Sequence, residues 1–276
     1  MNVDLHSHST ISDGVLTPQE VAARAHANGV QLWALTDHDE TSGLALAREA
    51  ARAHDMAFIP GVEISVTWAQ HTVHILGLGI DESNEHLNAG LADIRVGRTV
   101  RAKEMANRFE QLGIPGAYEG ALPYAANPAL ISRTHFARFL VENGYCANMQ
   151  AVFEKYLGDG KPVSVPMHWS TLEQAVDWIT GAGGRAIVAH PGRYDYTPLQ
   201  FGAFFSQFKD IGGAGIEVVT GSHRPDQYAE YAQVARHYGF LASCGSDFHS
   251  PKEGKLDLGG VPALPADLTP VWHDWV

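Results

Sequence analysis

Residues 3–39 read VDLHSHSTISDGVLTPQEVAARAHANGVQLWALTDHD. A short apolar strand, Val3–Leu5, runs into His6-Ser7-His8. A helix opens at Thr17-Pro18-Gln19-Glu20, where Thr17 is an N-cap, Pro18 suits the first helical position and Glu20 completes a capping box. Gly29 closes that helix. A second strand, Leu32–Leu35, then ends in Thr36-Asp37-His38-Asp39. This is one strand–helix–strand unit, and both strands end in histidines and carboxylates.

The pattern recurs along the chain. A helix is expected from about Ser42 to His54, followed by Ala57–Pro60 leading into Gly61-Val62-Glu63, and by a strand at Thr72–Leu78 carrying His74. From Ser83 to Phe109 the pattern turns helical and charged, with further helices at Ser132–Asn143 and Met149–Leu157. Alternation resumes with a capped helix at Thr171–Gly181 and strands at Ala186–Ala189, Ile216–Val219 and Phe240–Ser243, with a helix at Pro225–His237 before the last strand. These strands end in His190-Pro191-Gly192-Arg193, Thr220-Gly221-Ser222-His223 and Gly245-Ser246-Asp247-Phe248-His249. Repeated strand–helix units predict an α/β fold on a parallel sheet, open or closed into a barrel. Either form gathers the strand C-termini on one face. The expected division is a barrel from residues 1–82 and 166–276, with a helical insertion from 83–165.

The bulk properties fit that reading. The chain has 276 residues, 45% hydrophobic and 18% charged, which suits a globular protein with a sizeable core. No apolar run reaches the roughly 18 residues of a membrane span. The N-terminus has no signal-peptide pattern, and Cys146 and Cys244 make no disulfide framework. A cytoplasmic protein without a membrane partner is expected. The net charge of −12 argues against DNA as partner. It is uneven, because Arg95 to Lys161 holds nine Lys or Arg against six Asp or Glu, a net of +3.

Histidine is the outlier, with fifteen residues. His6 and His8, two apart at a strand end, point the same way. Asp247 and His249 repeat that spacing. His38 lies between carboxylates. Asp37 or Asp39 is placed to orient a ligand, with Asp39 read first as a helix cap or solvated turn. Glu63 stands between apolar neighbours, where a buried carboxylate needs a partner and its two oxygens can bridge cations. Imidazoles with carboxylates suit manganese, zinc or iron better than magnesium.

His6-Ser7-His8, Asp13, Thr36-Asp37-His38, Gly61-Val62-Glu63, His74, His190-Pro191 and Asp247-Phe248-His249 together resemble the PHP (polymerase and histidinol phosphatase) superfamily. The resemblance implies a distorted seven-stranded, TIM-like β/α barrel holding up to three metals, often manganese. By that resemblance His6, His8, Glu63 and Asp247 bind one metal, and Asp13, His38 and His249 a second. Glu63, His74 and His190 bind the third, with Glu63 as bridge. The helical insertion and Arg193 resemble the branch of small nucleotide phosphoesterases.

The expected reaction is hydrolysis of the 3′-phosphate of a 3′,5′-bisphosphonucleotide, such as adenosine 3′,5′-bisphosphate, by a hydroxide formed from metal-bound water. Asp13, His38, Arg193 and His223 are the candidate catalytic groups, Arg193 as a phosphoryl clamp and His223 as proton donor to the leaving oxygen. Ser132, Arg133, Lys161 and Arg101, with Arg193, are the candidate substrate contacts. A 5′–3′ exoribonuclease on short RNA is the rival, for which Tyr118, Tyr124 and Tyr145 are available stacking residues. Histidinol phosphate phosphatase and a non-catalytic, polymerase-associated module are the remaining alternatives.

Overall fold

The computed structural model describes every residue except 159, 168, 254, 255 and 276. The strands are β1 (Val3–Asp4), β2 (Leu32–Leu35), β3 (Ala57–Trp68), β4 (His71–Leu78), β5 (Arg185–Val188), β6 (Gly215–Thr220) and β7 (Leu241–Gly245). They form one seven-stranded sheet in sequence order. Its edges meet. Leu5 N–H donates to Cys244 O at 3.0 Å, Asp247 N–H to His6 O at 2.9 Å and His8 N–H to Phe248 O at 2.8 Å. The result is a nearly closed, distorted TIM-like barrel.

Outside the barrel wall lie α1 (Pro18–Ala27), α2 (Leu44–Ala53), α3 (Glu85–Gln111), α4 (Ala117–Ala121), α5 (Arg133–Glu142), α6 (Met149–Val152), α7 (Leu172–Gly181), α8 (Pro198–Asp210) and α9 (Pro225–Tyr238). The capping boxes at Thr17/Glu20 and Thr171/Gln174 form as expected. Along α2, Leu44, Ala47 and Ala51 repeat at helical spacing and turn one apolar face to the core. The four residues of β2 and the six of β6 are all buried, as strands covered on both faces must be.

Two features depart from the sequence reading. The sheet is mixed, because β4 runs antiparallel to both β3 and β5. β3 and β4 form a hairpin whose two-residue turn, Ala69-Gln70, has φ of 45° and 67°. Such turns normally carry Asn-Gly, since both central residues take left-handed angles. Ala-Gln gives no such signal. The second departure is α8, a helix in a stretch to which no element was assigned. Its capping box at Thr197 and Gln200 was present in the sequence. Phe204, Phe205 and Phe208 drive its packing.

The hydrophobic side chains divide part-way along α3. Leu87, Leu91 and Ile94 join the barrel core, whereas Ala102, Met105 and Phe109 join a second cluster with Phe136, Leu140 and Leu157. One long helix thus ties the inserted helices to the barrel. Among the described residues, no helix is long and apolar enough to cross a membrane.

Two glycines let the barrel close beneath its histidines. A Cβ on Gly245 would lie 2.4 Å from His6 Cβ, and one on Gly14 would lie 2.5 Å from His8 O. Gly245→Ala therefore drives β7 away from the His6 backbone. It should lower unfolding free energy by about 1–3 kcal/mol, the usual range for overpacking, as read by urea denaturation of metal-free protein. Wild-type stability in that variant would show that the approach is not tight.

Candidate metal centre

The nine candidate ligands come together at one end of the barrel. His6 and His8 follow β1, His38 follows β2, His190 follows β5, and Asp247 and His249 follow β7. Glu63 and His74 lie within β3 and β4 rather than at strand ends. Ser65 pairs with His74 across the hairpin and Glu63 with Leu76. Glu63 and His74 are therefore diagonal neighbours on one face, because antiparallel β4 enters the sheet from the site end.

Glu63 occupies the middle. Its Oε2 lies 3.4 Å from His6 Nε2, 3.3 Å from His8 Nε2 and 3.0 Å from His38 Nδ1. Its Oε1 lies 3.0 Å from His74 Nδ1 and 2.9 Å from His190 Nε2. The two oxygens face different histidine groups, the geometry a bridging carboxylate requires. On the far side Asp13 Oδ1 lies 3.2 Å from His249 Nε2, and Asp247 Oδ1 lies 3.4 Å from both His6 Nε2 and His8 Nε2. Four overlapping donor groups result: His8, Asp13, His38 and His249; His6, Glu63 and His190; His6, His8 and Asp247; His38, Glu63 and His74.

The donor set fits divalent cations. Buried His8 Nδ1, Asp13 Oδ1, His38 Nδ1, Glu63 Oε2 and His190 Nδ1 have no hydrogen-bond partner, a costly state for buried polar atoms. Protonation states also suit ligation, which needs neutral imidazole and ionised carboxylate. Burial, with the charges of His249 and His38, lowers the pKa of His8 to about 3. Burial and Arg193 do the same for His190. For Glu63, burial opposes ionisation, but His38, His74 and His6 outweigh it and hold the group well below the usual carboxylate range. His6, His38 and His249 are exceptions, since burial opposes their charge but nearby carboxylates outweigh it and raise all three. His249 shows this most simply. Burial opposes its charge, yet Asp13 and Asp247 outweigh burial and lift its pKa to about 9.

A model of the PHP domain family matches residues 4–112. The chain is 50% identical over 273 residues to a 3′,5′-nucleoside bisphosphate phosphatase of Chromobacterium violaceum, covering 99% of this chain and 96% of that one. The chain belongs to the PHP family. A 5′-3′ exoribonuclease, Rnm, of Salmonella typhimurium is 44% identical over 274 residues, covering 99% of this PHP chain and 93% of the relative. The solved structure of an amidohydrolase from Chromobacterium violaceum, with bound sulfate and no metal, superposes with a TM-score of 0.96 at 50% identity, covering 99% and 95% of the two chains. As a PHP protein this chain is a metal-dependent hydrolase of phosphate esters.

Around the ligands the remaining candidates separate. Asp13, His38, Arg193, Arg101, Ser132 and Arg133 line one cavity with the metal-facing cluster. Ser132 Oγ donates to Asp13 Oδ2 at 3.1 Å, and Arg193 Nη1 to Asp247 Oδ2 at 3.0 Å. Lys161 does not line this cavity; it sits on an exposed turn after Leu157. His223 is also a correction. Its ring is buried against Tyr231, and its Nε2 accepts from Gly192 N–H at 2.9 Å while Nδ1 faces Val218 O at 3.2 Å. Burial, opposed by the Val218 carbonyl, lowers its pKa to about 4. Both nitrogens are engaged, the single proton lying on Nδ1 toward the Val218 carbonyl, so His223 props the Gly192 turn.

The aspartates beside His38 have different tasks. Asp37 accepts from Ser9 N–H at 2.8 Å, Ser9 Oγ at 2.6 Å and Ser12 Oγ at 2.6 Å, pinning the loop that carries Asp13. Asp39 is neither solvated nor a cap. It is fully buried with φ of 51° and accepts from Ser65 N–H at 2.7 Å and Arg98 Nε at 2.7 Å. Arg98 belongs to the basic stretch from Arg95 to Lys161, where nothing local marks it as buried. Sequence reasoning passed over Glu217, which meets His6 and His190. A charged residue inside an otherwise apolar strand was the available signal.

His249 sets a pH dependence. In the metal-free fold its pKa is about 9, against a usual value near 6.5. Its contribution to stability is fully present below about pH 6.5 and is lost as pH rises through 9. A cation must also displace this proton. Manganese binding at pH 7 should therefore release protons, measured calorimetrically in buffers of different ionisation enthalpy, and His249→Asn should reduce the number released. Equal release by wild type and variant would contradict the assignment.

Proposed function

We propose that this PHP enzyme is a phosphatase removing the 3′-phosphate from 3′,5′-bisphosphonucleotides. One observation carries the reading. The metal-facing cluster and the N-terminus of α5 face one cavity, so a single substrate meets two places suited to anions. Ser132, Arg133 and Thr134 of that helix start line the cavity, and helix N-termini favour phosphate. The 50% identity to a bisphosphate phosphatase supports the same substrate class.

In this reading all nine residues, His6, His8, Asp13, His38, Glu63, His74, His190, Asp247 and His249, hold cations, three in number and manganese in kind. When bound, such ions lower the pKa of water and neutralise charge on phosphoryl oxygens. Arg193, half exposed and held beside Asp247, orients the reacting phosphoryl group from the barrel side. Arg133 and Arg101 receive the second phosphate from the side of the inserted helices, residues 83–165, which act as a substrate-selecting cap. Arg101 and Arg98 both stack on Trp169, at 5.3 and 4.8 Å, and Arg133 lies over Phe153 at 5.8 Å. Trp169 and Phe153 thus give the cavity aromatic walls for a base. The three tyrosines suggested by the sequence line none of it: Tyr124 Oη donates to Glu142, Tyr145 packs on Phe139, and Tyr118 faces another depression.

A second observation favours a longer substrate. A groove of about 570 Å³ shares Thr72 and Arg101 with the cavity and is lined also by Thr67, Gln70, His71 and Ser164. It suits further nucleotides of a short RNA, the substrate type named for the Salmonella typhimurium relative.

Phosphate release from a 3′,5′-bisphosphonucleotide and a 3′-monophosphate, beside cleavage of a 5′-phosphorylated RNA oligomer, tests these readings with manganese-loaded protein. The bisphosphate should be preferred to the monophosphate. Arg133→Ala should lower kcat/KM for the bisphosphate by roughly 10- to 100-fold, as loss of a charge-assisted contact does, and the monophosphate much less. Lys161→Ala should change neither. An Arg133→Ala enzyme that keeps its preference would refute the second-phosphate role. Preferred turnover of the oligomer would favour the exoribonuclease reading.

A further inference from the structure

Glu217 lies within β6 and is fully buried. Its neighbours Ile216, Val218 and Val219 are apolar and buried, so nothing in the strand itself accommodates a carboxylate. Burying such a group costs heavily unless its oxygens are hydrogen-bonded. Both are. Oε1 lies 3.1 Å from His6 Nδ1, and Oε2 accepts from His190 N–H at 2.7 Å.

These two contacts act on opposite flanks of the centre. A carboxylate oxygen only accepts, so the His6 contact places a proton on Nδ1. In the neutral ring that ligation requires, Nε2 is then the lone-pair nitrogen, and it is the atom that faces Glu63, His8 and Asp247. The His190 contact holds a backbone that L-residues rarely adopt, with φ of 27° and ψ of 57°. Held there, the His190 ring stacks on His6 with centroids 5.7 Å apart and presents Nε2 to Glu63 Oε1. The register of β6 on β7 shifts between Glu217 and Val219. Such irregularities re-aim side chains beside functional sites. Among the described residues, Glu217 is not in any of the four donor groups that could hold an ion.

We infer that Glu217 is a positioning residue that fixes the His6 tautomer and the His190 backbone together, orienting one metal-facing imidazole on each side of Glu63. The inference concerns metal binding and does not depend on which phosphate ester is the substrate. An outer carboxylate on a ligating histidine typically contributes 10- to 100-fold in metal affinity.

The test is manganese titration of metal-free protein by calorimetry, for wild type, Glu217→Gln and Glu217→Ala, with Phe208→Ala, in the packing of α8, as a variant that lowers stability away from the centre. Gln is isosteric but offers one acceptor in place of two. Glu217→Gln should bind manganese 10- to 100-fold more weakly, and Glu217→Ala more weakly still, whereas Phe208→Ala should lower Tm and leave affinity unchanged. Nitrogen-detected NMR of protein loaded with diamagnetic zinc should find His6 Nδ1 protonated and hydrogen-bonded in wild type, and that signal lost or shifted in Glu217→Ala. If Glu217→Ala does not fold, Glu217→Gln decides the matter. Wild-type affinity in Glu217→Gln, or loss of affinity in Phe208→Ala of equal size, overturns the inference. Failure of the bisphosphatase reading would appear in substrate preference and would leave this titration untouched.

Discussion

Six imidazoles and three carboxylates converge on the buried mouth of one barrel, and this is the constraint around which the rest is arranged. Stripped of water, those groups repel, or lack partners, unless cations gather their lone pairs. The protein prepares for the ions before they arrive. Burial keeps His8 and His190 neutral, while neighbouring imidazoles keep Glu63 and Asp13 ionised. Glu63 can serve both sides only because its two oxygens face different histidines. A histidine in its place would have no second donor in that direction.

Holding the cluster falls to a surrounding set of carboxylates that face away from it. Asp37 fixes the loop before Asp13, and Asp39 fixes the turn after His38 through Ser65 and Arg98. Asp4 receives Ser246 N–H at 2.9 Å and Gly259 N–H at 2.7 Å, bracing the approach to Asp247. Three non-glycine residues at the centre, Asp39, His190 and Asp247, have positive φ. Strained backbone of this kind persists only where surrounding contacts over-determine it, and here each strained turn has a buried hydrogen-bond partner close by.

Much of this clustering was legible in the sequence because polar side chains at strand ends leave a local signature. His-x-His after β1 and Asp-x-His after β7 declare their geometry by spacing alone. The parts that were not legible depend on contacts between distant segments. The β3–β4 hairpin turns on Ala69-Gln70, residues with no hairpin signal, so the antiparallel step and the mid-strand placement of Glu63 and His74 went unforeseen. His223 stood at a strand end like a ligand, yet its environment, set by Gly192, Val218 and Tyr231, engages both nitrogens. Asp39 looked like a surface turn because its partner, Arg98, lies 59 residues away on α3.

That last pairing bears on how chemistry and selection are joined. α3 begins in the barrel core and ends in the second hydrophobic cluster, and at its midpoint Arg98 binds the turn that follows His38. α5 makes two more such links. Ser132 donates to Asp13, and Arg138 pairs with Glu253, four residues past His249, at 2.7 and 3.0 Å. The Arg138 guanidinium is buried, so this pair is screened less than a surface ion pair and resists separation more. The inserted helices therefore reach the segments beside three metal-facing residues, Asp13, His38 and His249. A tilt of α5 would move Ser132 and Arg133 against the cavity and pull on Asp13 together, although the clustered donor atoms themselves all come from the barrel.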